Sequence, residues 1–263
     1  MMMMRLLAVT AHPDDEASAF GGTLHLYADR GVETSVICLT AGQAATHRGK
    51  AKDDHELAAL RRKEFAEACA ILNVSRGAVL DYPDGQLHRV EMHRVVADLV
   101  RHIREFRPHI MLSMGPEGMI TGHTDHSMAS VFATLAFHWA GRNNRFPDQL
   151  AAGLIPHRIQ KLYYSTAPAP LPDRQPISLP PFTTRIEIGS YLETKLAAFH
   201  AHTTQAPVFP TFDAHVAKFG NPELFHLAAS IVPGPAPIET DLFDAERFRR
   251  FGSRSLGDPY LIE

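Results

Sequence analysis

The chain has 263 residues, 45% of them hydrophobic, with a formal net charge of −3. That length buries a substantial core and is common for one α/β domain. Lys and Arg are dispersed among acids without a basic run, which argues against nucleic-acid binding, and no apolar run is long enough to cross a membrane.

Strand and helix patterns alternate from the start. An apolar strand over 5–10 leads into a helix over 16–30 that Gly31 stops. "TSVICLT" (34–40) is a β-rich second strand, and the polar stretch 43–54 reads as a loop. A long amphipathic helix follows over 56–72, with Leu57, Leu60, Phe65 and Cys69 among its apolar positions. "AVLDY" is a third strand closed by "PDG", and a helix over 90–106 ends before Pro108. "HIMLSMG" is the fourth strand, 123–140 a helix and "KLYYST" (161–166) the fifth strand. This alternation predicts a Rossmann-like, doubly wound, mostly parallel sheet with helices on both faces. With strand order 3-2-1-4-5, strands one and four are neighbours, and ligands bind outside their carboxyl ends.

The regularity weakens after 166. "APAPLPDRQPISLPP" reads as an irregular connection, followed by a short strand over 185–188 and a helix over 191–200. From about 206 only turns and short pieces are expected, without a second core, so residues 1–263 are read as one domain with a less regular C-terminal extension. Cys38 and Cys69 fall in a predicted strand and helix, as buried free thiols suited to a reducing compartment. "MMMMRLLAVT" lacks the flanks of a signal peptide, so a cytoplasmic location is expected.

Two segments carry chemistry. "HPDDE" puts His12, Asp14, Asp15 and Glu16 directly after the first strand, in the expected crevice. "GHTDH", after strand four, puts His123 and His126 three apart at a helix start with Asp125 between them. Alone, the first reads as a helix cap and the second as a polar helix start. Together they bring His12, one Asp and one His to a common point. Two nitrogens, one carboxylate and a fourth position for water make the donor set of a hydrolytic zinc site; Mg²⁺ or Ca²⁺ would take more oxygens, and a structural zinc would take Cys. One Asp and one His remain over for general-base and oxyanion duty, the parts that amide hydrolysis requires.

"AHPDDE" with the later "GHTDH" resembles the LmbE/PIG-L family of zinc-dependent N-acetylglucosaminyl de-N-acetylases, which includes deacetylases of mycothiol and bacillithiol synthesis. "TAGQAATHRG", the R-x-x-E helix through Arg61 and Glu64, "LDYPDGQL", and "KLAAFHAHTTQ" through Lys195, His202 and Gln205 extend the resemblance over residues 5 to 205. It implies His12, Asp15 and His126 as zinc ligands, with Fe²⁺ able to use the same donors. It implies Asp14 as the general base and His123 as the oxyanion stabiliser, oriented by Asp125. Arg61 and Asp84 are implied contacts to sugar hydroxyls or an appended group. The implied activity is hydrolysis of an N-acetyl group from an N-acetylglucosamine derivative.

Two departures stand out. Gln43 replaces the acid of the family's G-E-x-G, removing a charge near the expected sugar pocket, and Thr124 replaces a proline. Phe132, Leu135 and Trp139 read as a core stripe, and Glu16 as a helix-start charge. His138, His200 and His202 are placed to approach the site, His202 alone with motif support. No G-x-G-x-x-G fingerprint supports a dinucleotide. The rival readings are a zinc amidase for larger N-acyl groups or thiol conjugates, and a metal- or carbohydrate-binding module without turnover. The partner expected is a small amino sugar, and a homo-oligomer is compatible with the chain.

Overall fold

The computed structural model describes residues 3–169, 177–231 and 238–243. Strands β1 (Arg5–Thr10), β2 (Glu33–Thr40), β3 (Arg76–Tyr82), β4 (Ile110–Ser113), β5 (Lys161–Thr166), β6 (Thr184–Ile186) and β7 (Glu223–Ser230) form, among the described residues, one sheet of order β3-β2-β1-β4-β5-β7-β6. The helices are α1 (Asp15–Asp29), α2 (Asp54–Ile71), α3 (Met92–Phe106), α4 (Thr124–Ala140), α5 (Pro147–Ala151), α6 (Leu192–His200) and α7 (Phe209–Phe219).

The first five strands are parallel in the expected order, with Leu6 opposite Thr34 on one side and Ile110 on the other. β1 is buried on both faces, and its period-2 geometry splits its side chains between two cores. Leu7 and Val9 join Leu39, Met111, Leu99 and Phe132 on the face that α3 and α4 cover. Leu6 and Ala8 join Cys38, Leu112, Phe20 and Phe199 on the face that α1, α2 and α6 cover. Cys38 and Cys69 are both free and buried in that second core, and Phe132 lies in the first, as the apolar stripe requires.

The starts of two helices differ from expectation because an acidic side chain caps each of them, earlier than the apolar pattern in one and inside the expected helix in the other. Asp53 accepts the N–H of Glu56 at 2.8 Å, starting α2 at Asp54 inside the expected loop. Glu91 accepts the N–H groups of His93 and Arg94, starting α3 at Met92.

The stretch after 206 is more regular than its Pro and Gly content suggests. It carries α7 and then β7, which enters the sheet antiparallel between β5 and β6. Residues 170–176 of the Pro-rich connection, and 232–237 and 244–263 of the expected C-terminal extension, lie outside the described residues. Among the described residues no helix is long and apolar enough to cross a membrane.

Candidate metal centre and active site

The site lies at the carboxyl ends of β1 and β4, where "HPDDE" and "GHTDH" meet. β1 ends at Thr10, and four residues later the chain turns into α1 through Asp14, whose φ of 119° lies in the left-handed region. A non-glycine residue there costs about 1–3 kcal/mol and persists only where surrounding contacts enforce it. Those contacts are present. The Asp14 N–H donates to Glu16 Oε2 at 3.0 Å, and Arg61 on α2 donates to Asp14 Oδ2 at 2.8 Å and to the Pro13 carbonyl. Arg61 also donates to the Gly42 carbonyl. Gly42 has φ +64°, and a Cβ there would lie on the Arg61 guanidinium, so this crossing requires glycine.

Asp15 begins α1 with its Oδ2 accepting the backbone N–H of His12 at 2.7 Å and of Ala11 at 3.2 Å. Its Oδ1 faces His126 Nε2 at 3.3 Å. On the far side of the His126 ring, Nδ1 lies 3.3 Å from the Gly118 carbonyl, an acceptor only, so Nδ1 carries the proton. Nε2 then faces a carboxylate oxygen, and either a proton on Nε2 or a cation held between the two atoms satisfies the pair. Two ligands bonded at about 2.0–2.1 Å to a tetrahedral ion lie roughly 3.3 Å apart, which matches this spacing. Burial raises the Asp15 carboxyl, but the facing His126 and His12 and the backbone N–H groups outweigh it and hold the group well below the usual carboxylate range.

His12 is the hub. Its Nδ1 lies 3.6 Å from Asp15 Oδ2, while its Nε2 lies 3.0 Å from Asp84 Oδ1 and 3.4 Å from Asp125 Oδ2, aligned with neither. Burial opposes a charge on His12, yet the flanking Asp125, Asp84 and Asp15 push its pKa up to about 10. Donor atoms of His12, His123 and His126 come within 4.8 Å of one another, as do those of His12, Asp84 and Asp125. The second group is the less suited to an ion, because its carboxylates are already engaged by main-chain donors. Asp84 Oδ2 accepts from Ala44 N–H at 2.8 Å, and Asp125 accepts from Gly85 N–H at 2.7 Å and Leu87 N–H at 3.1 Å. They back the imidazole in the way carboxylates orient a metal-binding histidine.

These contacts bear on three expectations. The Asp125 carboxylate meets His12 and the backbone of the "YPDG" turn, and it reaches His123 only through its own N–H, which donates to His123 Nδ1 at 3.2 Å. His123 therefore carries its proton on Nε2, and burial together with the nearby His12 and His126 lowers its pKa, favouring a neutral ring. Asp84, expected at the sugar hydroxyls, lines the cavity, with one oxygen accepting from Ala44 N–H and the other 3.0 Å from His12 Nε2. Arg61, expected there too, also lines the cavity while donating to Asp14 and the main chain. Asp14 itself is pushed up to about 6 by burial, against the pull of Arg61.

Behind Asp14 a second layer appears that the spacing of residues did not reveal. Glu16 is fully buried, and its Oε1 lies 2.7 Å from His202 Nε2. Glu64 accepts from the Thr203 hydroxyl and from both the N–H and hydroxyl of Thr204, which locks "HTTQ" against α2. Gln43 turns away from the site: its Nε2 donates to the Tyr82 carbonyl, and its side chain borders a small depression with Asp54, His55, Arg62 and Asp81. The missing acid therefore leaves the charge beside the metal donors unchanged.

His12, Asp14, Asp15, His123 and His126 open on a cavity of about 580 Å³. It extends past the end of β5 to Lys195 on α6, Glu223 on β7 and the inner face of α7.

Residues 7–137 match the family model described as "PIG-L: GlcNAc-PI de-N-acetylase". Diacetylchitobiose deacetylase of Thermococcus kodakarensis is 32% identical over 205 residues, covering 77% of this chain and 70% of its own length. The 1D-myo-inositol 2-acetamido-2-deoxy-alpha-D-glucopyranoside deacetylase of Thermobispora bispora is 28% identical, covering 98% of this chain and 96% of its own. The solved structure of N,N'-diacetylchitobiose deacetylase from Pyrococcus horikoshii superposes with a TM-score of 0.68 at 25% identity, over 85% of this chain and 83% of that one. The chain belongs to the PIG-L family of GlcNAc-PI de-N-acetylases.

Proposed function

We propose that the protein is a zinc-dependent N-deacetylase that hydrolyses the acetamide of an N-acetylglucosamine derivative to a free amine and acetate. The observation that carries this reading is the facing pair Asp15 Oδ1 and His126 Nε2, 3.3 Å apart, beside the Asp14 carboxylate and the His123 imidazole. The relatives' names support the substrate class: one acts on diacetylchitobiose and another on an inositol glycoside of the acetamido sugar.

His12, Asp15 and His126 would hold the ion, and Fe²⁺ satisfies the same donors. When bound, a dication of this kind lowers the pKa of a water and polarises the amide carbonyl. Asp14 takes a proton from the attacking water and returns it to the departing nitrogen, a role suited to a carboxylate whose burial holds its pKa near 6. His123 donates a hydrogen bond from its Nε2–H to the oxyanion and stays a neutral imidazole, since Nδ1 already accepts the Asp125 N–H. Arg61 and Glu16 keep Asp14 in its left-handed conformation, so the base is positioned before substrate arrives. Because α6, α7 and β7 border the same cavity as His12, the chain is read as one working domain.

The test is acetate release from free N-acetylglucosamine, its inositol and malate glycosides and diacetylchitobiose, with protein loaded with Zn²⁺ and protein stripped by chelator. Chelator-sensitive release from one of them is expected. Absence of release from every sugar by zinc-loaded protein would turn the reading towards a binding module.

A further inference from the structure

The loop between β4 and α4 doubles back on itself, so that the His123 N–H reaches the Gly118 carbonyl at 3.2 Å. Gly118 has φ 87°, and a Cβ there would lie 2.6–2.7 Å from main-chain atoms of Gly122 and His123, so the crossing admits only glycine. The next residue, Met119, has φ 58°, a left-handed conformation that surrounding contacts must enforce in an L residue. Its side chain packs against both cores, which supplies that enforcement. The turn carries Thr121 back over the Gly118 carbonyl and leaves it half-buried in the cavity wall.

Two oxygens there face two N–H groups. Thr121 Oγ1 donates to the Gly118 carbonyl at 3.1 Å. His126 Nδ1 lies 3.3 Å from that carbonyl and 3.3 Å from the Thr121 hydroxyl. The His123 N–H, besides its bond to the carbonyl, lies 3.4 Å from the same hydroxyl. A threonine that bonds the carbonyl three residues earlier is ordinary local behaviour. Two N–H groups of the site histidines converging on its oxygen are not. A hydroxyl offers one donor and two acceptor positions, and here all three find a partner. The Gly118 carbonyl, with two lone pairs, meets three donors, so the N–H groups are shared between the two oxygens. Without the hydroxyl, one long bond would hold the far side of the His126 ring.

We propose that the Thr121 hydroxyl is a positioning group for the metal centre. By accepting from His126 Nδ1–H and His123 N–H together, it fixes the direction in which His126 Nε2 faces Asp15 and ties that ring to the start of α4. Thr121 acts through His126 and not on the substrate, and the inference rests on the metal-dependent reading above. A partner at the far nitrogen of a ligating imidazole is worth about 10- to 100-fold in metal affinity.

Zn²⁺ affinity is measured on the full chain by competition with a chromogenic chelator, for wild type, Thr121→Val and Thr121→Ser. Thermal unfolding of the metal-free proteins and acetate release from the same sugars are followed alongside. Valine keeps the shape and removes the hydroxyl, so Kd is expected to rise about 10- to 100-fold; serine keeps the hydroxyl and is expected to stay within about threefold of wild type. A purely structural hydroxyl would lower the metal-free melting temperature by about 2–4 °C and leave Kd unchanged. Should the valine variant fail to fold, Thr121→Ala against Thr121→Ser gives the same reading. A valine variant that binds Zn²⁺ like wild type, or a serine variant as weak as the valine one, overturns the proposal, while acetate release by wild type keeps the hydrolase reading. If the valine variant binds weakly but wild type releases no acetate, the positioning role stands and the hydrolase reading falls. If wild type takes up no Zn²⁺, both fall.

Discussion

Replacing His202 by Phe tests whether the buried Glu16–His202 pair holds the active site together. The two side chains are 0% exposed and 2.7 Å apart. Removing one partner of such a pair leaves a buried charge uncompensated and costs about 3–5 kcal/mol. For a protein of this size, at about 2–4 °C per kcal/mol, the melting temperature is expected to fall by roughly 6–20 °C. The double variant Glu16→Leu/His202→Phe removes both charges and is expected to recover much of that loss, giving a coupling energy that a double-mutant cycle reads directly. Activity is expected to separate from stability, because only Glu16 touches Asp14. Losing the charge-assisted bond from the Asp14 N–H to Glu16 Oε2 is worth about 1.5–3 kcal/mol, so kcat falls about ten- to hundredfold in Glu16→Leu and stays low in the double variant. The pH dependence has a defined sign. Burial lowers the His202 pKa, but the charge and hydrogen bond of Glu16 outweigh it and raise the net value. The pair's contribution is therefore complete below the unfolded value of about 6.5 and is lost as pH rises through the raised folded value. Thermal unfolding and steady-state kinetics on the two single variants and the double variant decide the matter. A melting temperature within about 2 °C of wild type for His202→Phe, or strictly additive losses, would refute the reasoning.

Asp14→Asn is expected to keep a full complement of metal by elemental analysis while losing about 10²–10⁴ in kcat, the range of a positioned general base. His123→Ala is expected to lower kcat about 10²–10³-fold with KM little changed; His123→Gln, a neutral donor, recovers part of it, which a role requiring imidazolium would not allow. Metal binding is expected to release about one proton at pH 7–8, because metal-free His12, pushed up to about 10, must give up its proton to bind an ion. Calorimetry in buffers of different ionisation enthalpy measures that proton, and a value near zero would show His12 already neutral.

The parallel half of the fold was readable because β1, β2, β4 and β5 are short apolar runs separated by strongly periodic helices. β7 was not. "ELFHLAAS" follows a Gly-Asn-Pro turn and pairs antiparallel with a strand some sixty positions earlier, and long-range pairing of that kind leaves no local period to read. That the two His-Asp clusters meet was legible, since segments at the carboxyl ends of neighbouring strands come together in only a few ways. The partners of those residues were not. Asp84 and Asp125 look in sequence like a turn residue and a helix-start acid, and only the packing of the "YPDG" turn against α4 brings both carboxylates to one face of His12. Arg61 shows the same limit. Its place on α2 points it to the site, but sequence does not say whether the guanidinium meets substrate or holds Asp14.

Charge explains why that arrangement needs a positive partner. Asp15, Asp84 and Asp125 each place an oxygen within 3.6 Å of a His12 ring nitrogen, while Arg61, the nearby permanent cation, is taken up by Asp14. Three carboxylates around one imidazole, each buried, are tolerable only if positive charge stands among them. Without metal, a proton on His12 supplies it. Were His12 to hold a metal through Nδ1, the same two carboxylates at Nε2 would stabilise the charge that coordination draws onto the ring and fix its orientation. Asp84 and Asp125 would thus serve both states of the site, which accounts for their burial beside a histidine.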